Sequence, residues 1–155
     1  MHKIIISTLL LTSLSFADKS YSFMGAQTSF LNYDGLSSPS FGLKYGIQKG
    51  MWRSSINLDY SKNGDNSLGS LILQVDKGIL KNDSPLKPHI GFSFGLVEHH
   101  KIKSNTGYGL GINTGVTYLL NDAIDLDLSY RYLYTSEIDN LSSVNTLTLS
   151  LHYFY

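Results

Sequence analysis

The chain has 155 residues, twelve Lys+Arg against twelve Asp+Glu, and no cysteine. Balanced charge leaves no basic field to attract nucleic acid, and a cysteine-free chain has neither disulfides nor thiol chemistry. The length is one domain's worth of chain.

Residues 1–17 have the pattern of a cleavable secretory signal peptide. His2 and Lys3 give a weakly basic start, Ile4 to Leu11 form an apolar core broken by Ser7 and Thr8, and Ser15-Phe16-Ala17 offers a small-x-small cleavage site. The apolar stretch falls well short of the ~20 residues a spanning helix needs, and no later stretch approaches that length. Residues 18–155 are then the working domain. Without Lys3 its charge is eleven basic minus twelve acidic residues, or −1. Fourteen Gly and eleven Tyr with three Pro and one Trp suit strands and membrane interfaces better than helices.

Apolar and polar residues alternate through almost all of this domain, which is the period of a strand with two unlike faces. The alternation predicts eight strands near 20–31, 41–49, 51–61, 68–77, 88–98, 107–120, 123–135 and 144–155. Most approach the roughly 9–11 residues a tilted strand needs to cross a bilayer. Lys49-Gly50 and Asn121-Asp122 mark tight turns, since Gly and Asn accept positive φ. The stretches 32–40, 61–67, 98–106 and 136–143 are longer and polar, and alternate with the tight turns; 77–87 is a longish member of the short set. Short periplasmic turns and longer outer loops are the asymmetry of outer-membrane barrels. Eight strands, an even number, leave both termini on the periplasmic side.

One face of these strands carries Leu43, Tyr45, Trp52, Leu58, Leu73, Phe92, Leu110, Leu128 and Leu151, with no charge over seven strands. On the first strand Met24, Ala26, Thr28 and Phe30 are assigned to that face. The opposite face carries Lys44, Gln48, Arg53, Asn57, Asp59, Gln74, Asp76, His89, Asn113, Asp125, Asp127, Arg131 and His152, interspersed with glycines such as Gly42, Gly91, Gly95 and Gly111. A soluble barrel would turn the apolar face inward, leaving a water-facing surface poor in charge and rich in Gly. A narrow lumen explains both features: glycines make room and charges pair inside. Threading the strands up and down also puts Phe30, Phe41, Tyr60, Tyr108 and Tyr134 near one rim. Trp52, Tyr118, Tyr153 and Tyr155 fall near the other, giving two aromatic girdles.

In three stretches the chain resembles the small OmpA/OmpX-type barrels, the porin-family outer-membrane proteins of Gram-negative bacteria. They are Pro88-His-Ile-Gly-Phe-Ser-Phe-Gly95, Asn121-Asp-Ala-Ile-Asp-Leu-Asp-Leu-Ser-Tyr-Arg-Tyr132 and the last strand. The resemblance implies an all-β fold, an eight-stranded antiparallel up-and-down transmembrane barrel in the bacterial outer membrane. It implies membrane lipid as surroundings. It also implies a closing strand whose outward residues, Leu149, Leu151, Tyr153 and Tyr155, signal insertion to the barrel-assembly machinery. The peptidoglycan-binding domain of full-length OmpA proteins is expected to be absent.

Some barrels of this size are lipid A deacylases or palmitoyltransferases, so nucleophile motifs matter. A deacylase needs a His-x-Ser pair with a carboxylate orienting the His. The sequence has no His-x-Ser, which leaves only a non-contiguous set such as Ser93, His89 and Asp76. Gly107-Tyr-Gly-Leu-Gly111 lacks the strand-then-helix context of a phosphate loop and reads as a strand with a bare inner face. His99-His100, placed in a loop, point to opposite faces if extended and cannot chelate one ion. No cofactor is expected.

The inward charges are three cations, Lys44, Arg53 and Arg131, and four anions, Asp59, Asp76, Asp125 and Asp127. They are expected to form a lumen ion-pair network, because eight strands leave an interior that side chains fill. The resulting expectation is a non-enzymatic barrel that anchors surface loops for adhesion or interaction with an extracellular ligand the residues do not identify. The alternatives are a narrow porin-like channel for ions or small solutes and a lipid A-modifying enzyme.

Overall fold

The computed structural model describes residues 19–33, 35–80, 84–100, 104–136 and 141–155. The expected signal segment, 1–17, lies outside them. Eight strands form: β1 (Ser20–Tyr33), β2 (Leu36–Lys49), β3 (Trp52–Asn63), β4 (Asn66–Gly78), β5 (Leu86–His100), β6 (Ser104–Leu119), β7 (Ile124–Ser136) and β8 (Ser143–Phe154). Each pairs antiparallel with its neighbours in sequence, and β8 returns to β1 to close the barrel. Closure leaves no strand edge, so backbone groups pair between strands even where no water can reach them.

Register pairs followed from Ser20 run through Lys49, Trp52, Lys77, Ile90, Thr114, Tyr130 and Leu147 to Phe30. One circuit therefore climbs from residue 20 to residue 30 of β1, a shear of ten residues. A stagger of that size tilts the strands, and the tilt decides which residues meet across the lumen.

Side chains split by parity as the alternation requires. Phe41, Leu43, Phe92, Leu110 and Leu149 stand on the outside, while Lys44, Asn57, Asp76, Asp127 and His152 are buried inside. On β1, Met24 and Phe30 are exposed and Gln27 and Ser29 are buried, as assigned from sequence.

The connections differ from the sequence expectation. β1 runs to Tyr33 and β2 starts at Leu36; β3 runs to Asn63 and β4 starts at Asn66; β5 runs to His100 and β6 starts at Ser104. Most of the stretches 32–40, 61–67 and 98–106 is therefore paired strand, and the longest gap between strands, 79–85, is on the other side. The polar stretches pair because their cross-strand partners are equally extended, as in Leu31↔Ser38 and Ser61↔Leu68. Gly35 and Gly64 close these hairpins at positive φ, 71° and 60°, which allows two-residue connections.

Candidate functional site in the barrel lumen

The seven charged residues picked from the sequence all project into the lumen, and the shear brings distant strands together there. Near the β2–β3 turn, Arg53 Nη2 donates to Asp125 Oδ2 at 2.7 Å, and its Nε and Nη2 also donate to Gln48 Oε1. Asp125 is shared: its Oδ1 lies 2.6 Å from His152 Nδ1. The guanidinium also lies over the rings of Phe23 and Phe154, at 5.1 and 5.6 Å from their centres. Arg53 is thereby held by charge, hydrogen bonds and aromatic faces together.

A second cluster surrounds Asp127. Its Oδ2 lies 2.7 Å from His89 Nε2 and accepts from Thr117 Oγ1 at 2.9 Å. The other His89 nitrogen faces Asp76 Oδ1 at 3.9 Å. Asp76 in turn accepts from Asn113 and from Gln74 Nε2. Lys44 is buried in this layer, within the field of the Asp127 and Asp76 carboxylates.

Higher in the lumen, Arg131 Nη2 donates to Gln74 Oε1 at 2.6 Å, with Nη1 3.9 Å from Asp59 Oδ2. Gln27 on β1 donates to Asp59 on β3, over the intervening β2. Above this layer apolar side chains predominate, with Ser38, Ser61 and His99 buried at the same level. Leu31, Tyr33, Leu68, Ile72, Val97, Leu133, Leu141 and Val144 form one buried cluster at the outer end. Leu141 is held there by its backbone, whose carbonyl accepts from Thr135 Oγ1.

Inward glycines act as sockets for the polar residues. Asp59 lies against Gly42, Asp76 and Asn113 against Gly91, and His152 against Gly25. A Cβ at any of these positions would collide with the side chain it faces and with a strand carbonyl.

Residues that the sequence analysis left out of the network carry much of it: His89, His152, Gln27, Gln48, Gln74 and Asn113. All sit at the inward parity already assigned, so the signal was present; what was missing was the cross-lumen neighbour. The apolar layer also left a trace, where both parities turn apolar together at Phe30-Leu31, Leu71-Ile72, Leu96-Val97 and Tyr132-Leu133.

The sites considered for chemistry separate in the fold. Ser93 Oγ donates to Asn113 Oδ1 at 2.6 Å, while His89 is engaged by Asp127, so Ser93, His89 and Asp76 do not form a nucleophile–base–carboxylate relay. His99 and His100 are the last residues of β5 and not a solvated loop: His99 is buried edge-on to Tyr33, and His100 points outward. Among the described residues no group of three or more His, Asp or Glu is placed to hold a metal ion. A shallow groove of about 540 Å³ does exist, but it lies on the outer surface over Met24, Ala26, Leu43, Tyr45, Leu151 and Tyr153; Lys44 and His152 touch it only from the inward side. It faces the same surroundings as the rest of the apolar belt.

That belt has hydrocarbon as its natural solvent. Phe41 and Phe92 are 72% and 71% exposed, and the ring around them is formed by Leu, Ile, Phe and Tyr. Its polar complement is inside, the inverse of a soluble barrel, and the chain is a membrane-spanning β-barrel.

No protein-family model and no curated protein matches the chain. Solved structures do. Neisserial surface protein A is similar with a TM-score of 0.72 at 22% identity, covering 88% of this chain and 97% of that one. The attachment invasion locus protein Ail of Yersinia pestis gives 0.56 at 18% identity, over 90% of this chain and all of that one. The outer membrane enzyme PagL gives 0.55 at 10% identity, over 84% and 98%. At these identities the likeness shows the fold, which is that of the small eight-stranded outer-membrane barrels.

Proposed function

We propose that this protein is a non-enzymatic outer-membrane barrel whose membrane part is an anchor and whose outer strand ends and turns meet partners at the cell surface. One observation carries this reading. Among the described residues, hydrogen-bonded side chains and then a mainly apolar layer close the lumen to a through-path, and Ser93 and His89 are tied up by Asn113 and Asp127. What remains for function is the surface.

On the outer side the strands continue past the aromatic girdle with exposed Asn32, Lys62, Glu98, His100 and Ser136. These residues sit on paired strands, which gives a stiff polar crown at the strand ends. Two of the similar structures support a surface role by their own names, one a surface protein and one an attachment and invasion protein. Ail has also been crystallised with the heparin analogue sucrose octasulfate. In the outer membrane the row Leu149, Leu151, Tyr153 and Tyr155 would serve the assembly machinery as the insertion signal.

The test has two parts. Heat-modifiable migration in SDS gels and co-fractionation with outer membrane would establish the anchor, and a protein found soluble in the periplasm would overturn it. Binding of intact cells to immobilised sulfated polysaccharide should then be lost when Lys62 and His100 are replaced by Ser with migration unchanged. Unaltered binding in a properly inserted variant would remove the crown from the reading.

A further inference from the structure

The lumen is closed differently at its two ends. At the end carrying the β2–β3 turn, a vestibule of about 210 Å³ enters the barrel, with polar Gln48, Arg53, Asp76, His89 and Thr117 in its lining and apolar Met51, Leu80 and Leu119 beside them. One of its walls is His89, whose Nδ1 is buried without a hydrogen-bond partner among the described residues. Water entering here finds donors and acceptors, and the hydrogen-bonded layers of Asp127, Gln74 and Arg131 continue the polar path upward.

The path stops above Arg131 and Asp59. A void at that level measures about 10 Å³ and is walled by six apolar side chains, among them Leu31, Val97 and Leu133, and by the polar Asp59, Ser70, Arg131 and Thr146. A single water needs roughly 10–15 Å³ and two or more polar partners, so this void cannot pass a file of water. The six apolar side chains narrow the lumen here, and a water passing between them gives up hydrogen bonds that hydrocarbon does not replace.

We propose that the lumen is a blind chamber, wetted by water and small polar solutes from the periplasmic end only and sealed at the outer end by the apolar layer. The seal is the permeability barrier toward the cell exterior. The assignment of ends rests on the outer-membrane orientation proposed above. Polar groups in the periplasmic part of the barrel should exchange with the periplasm while the cell exterior is screened from them.

Because the protein has no native cysteine, single-cysteine variants in oriented proteoliposomes test this directly. Lys62→Cys on the outer crown and Asp122→Cys in the β6–β7 turn define the two sides. Thr117→Cys in the vestibule wall should react with a small charged thiosulfonate reagent from the Asp122 side and show no reaction from the Lys62 side. Val97→Cys should resist the reagent from both sides. Adding Leu31→Ser and Leu133→Ser to Thr117→Cys should make it reactive from the Lys62 side.

Reaction of Thr117→Cys from the Lys62 side in the otherwise native barrel would overturn the proposal, as would its silence from the Asp122 side. Absence of new reactivity in the Ser-substituted barrel would overturn the role of the seal. Heat-modifiable migration of every variant separates these outcomes from misfolding. A failure of the membrane reading itself would look different, with Lys62→Cys and Asp122→Cys reacting equally from one side.

Discussion

The Asp59 carboxylate lies directly on the backbone of Gly42, its register partner across β2 and β3. That contact places a charge within reach of Arg131 on the far wall and of Gln27 on β1. A bare backbone position in one strand is thus what lets a carboxylate of the next turn inward and find partners. Gly91 does the same for Asp76, and Gly25 for His152.

Gly42→Val should therefore destabilise the barrel although valine is a good strand former. The added side chain meets Asp59 and the Leu58 carbonyl, and overpacking of this kind costs about 1–3 kcal/mol. Urea unfolding in lipid vesicles measures it. A neutral or stabilising effect would show that the lumen relaxes around the new side chain and that the socket has no structural role.

Asp125→Ala removes the shared partner of Arg53 and His152. Arg53 keeps Gln48 and two aromatic rings, and losing a charge-assisted hydrogen bond costs about 1.5–3 kcal/mol, so this variant should unfold at lower denaturant. The double variant Arg53→Met with Asp125→Ala should recover part of the loss, because an apolar pair leaves no charge uncompensated. Additive losses in the double-mutant cycle would mean that the two groups are not energetically coupled.

In planar bilayers the wild-type barrel should insert without measurable conductance. Replacing Leu31, Val97 and Leu133 together by Ser should produce single-channel currents, whereas Arg131→Gln, which alters the network and leaves the seal intact, should not. Steady currents from the native protein would instead favour the channel alternative.

Ser93→Ala should leave lipid A acylation unchanged in cells, since the Ser93 hydroxyl is committed to Asn113 and stands in no relay with His89. Mass spectrometry of lipid A with and without the gene extends the test to any activity of the barrel. A gene-dependent change in acylation that Ser93→Ala abolishes would restore the enzyme reading.

Leu149→Arg puts a cation on the lipid-facing surface of β8, opposite Thr28. Near the bilayer midplane this costs about 2–4 kcal/mol, and the variant should assemble poorly in cells. Efficient assembly with native stability would place Leu149 outside the hydrocarbon.

How far the sequence reached can be judged at particular residues. Leu149 and Leu151 could be assigned outward and Ser150 and His152 inward from alternation alone, because successive side chains on a strand must point to opposite faces. The same rule put Lys44, Asp76 and Asp127 in the lumen. It did not reach His99, where a polar stretch taken for a loop is paired strand, since strand length beyond the membrane depends on a partner being extended too. Nor did it join Arg53 to Asp125, which are 72 residues apart.

The strands, their number and the lipid-facing side of each are legible in the order of residues alone. These follow from a period of two that every strand carries locally. Folding sets which inward charges meet, brings histidines and glutamines in to complete their pairing, and gathers the apolar cluster at the outer end of the lumen. Those depend on the ten-residue shear of the closed barrel, which sets the height of each inward residue against all the others and belongs to no strand alone.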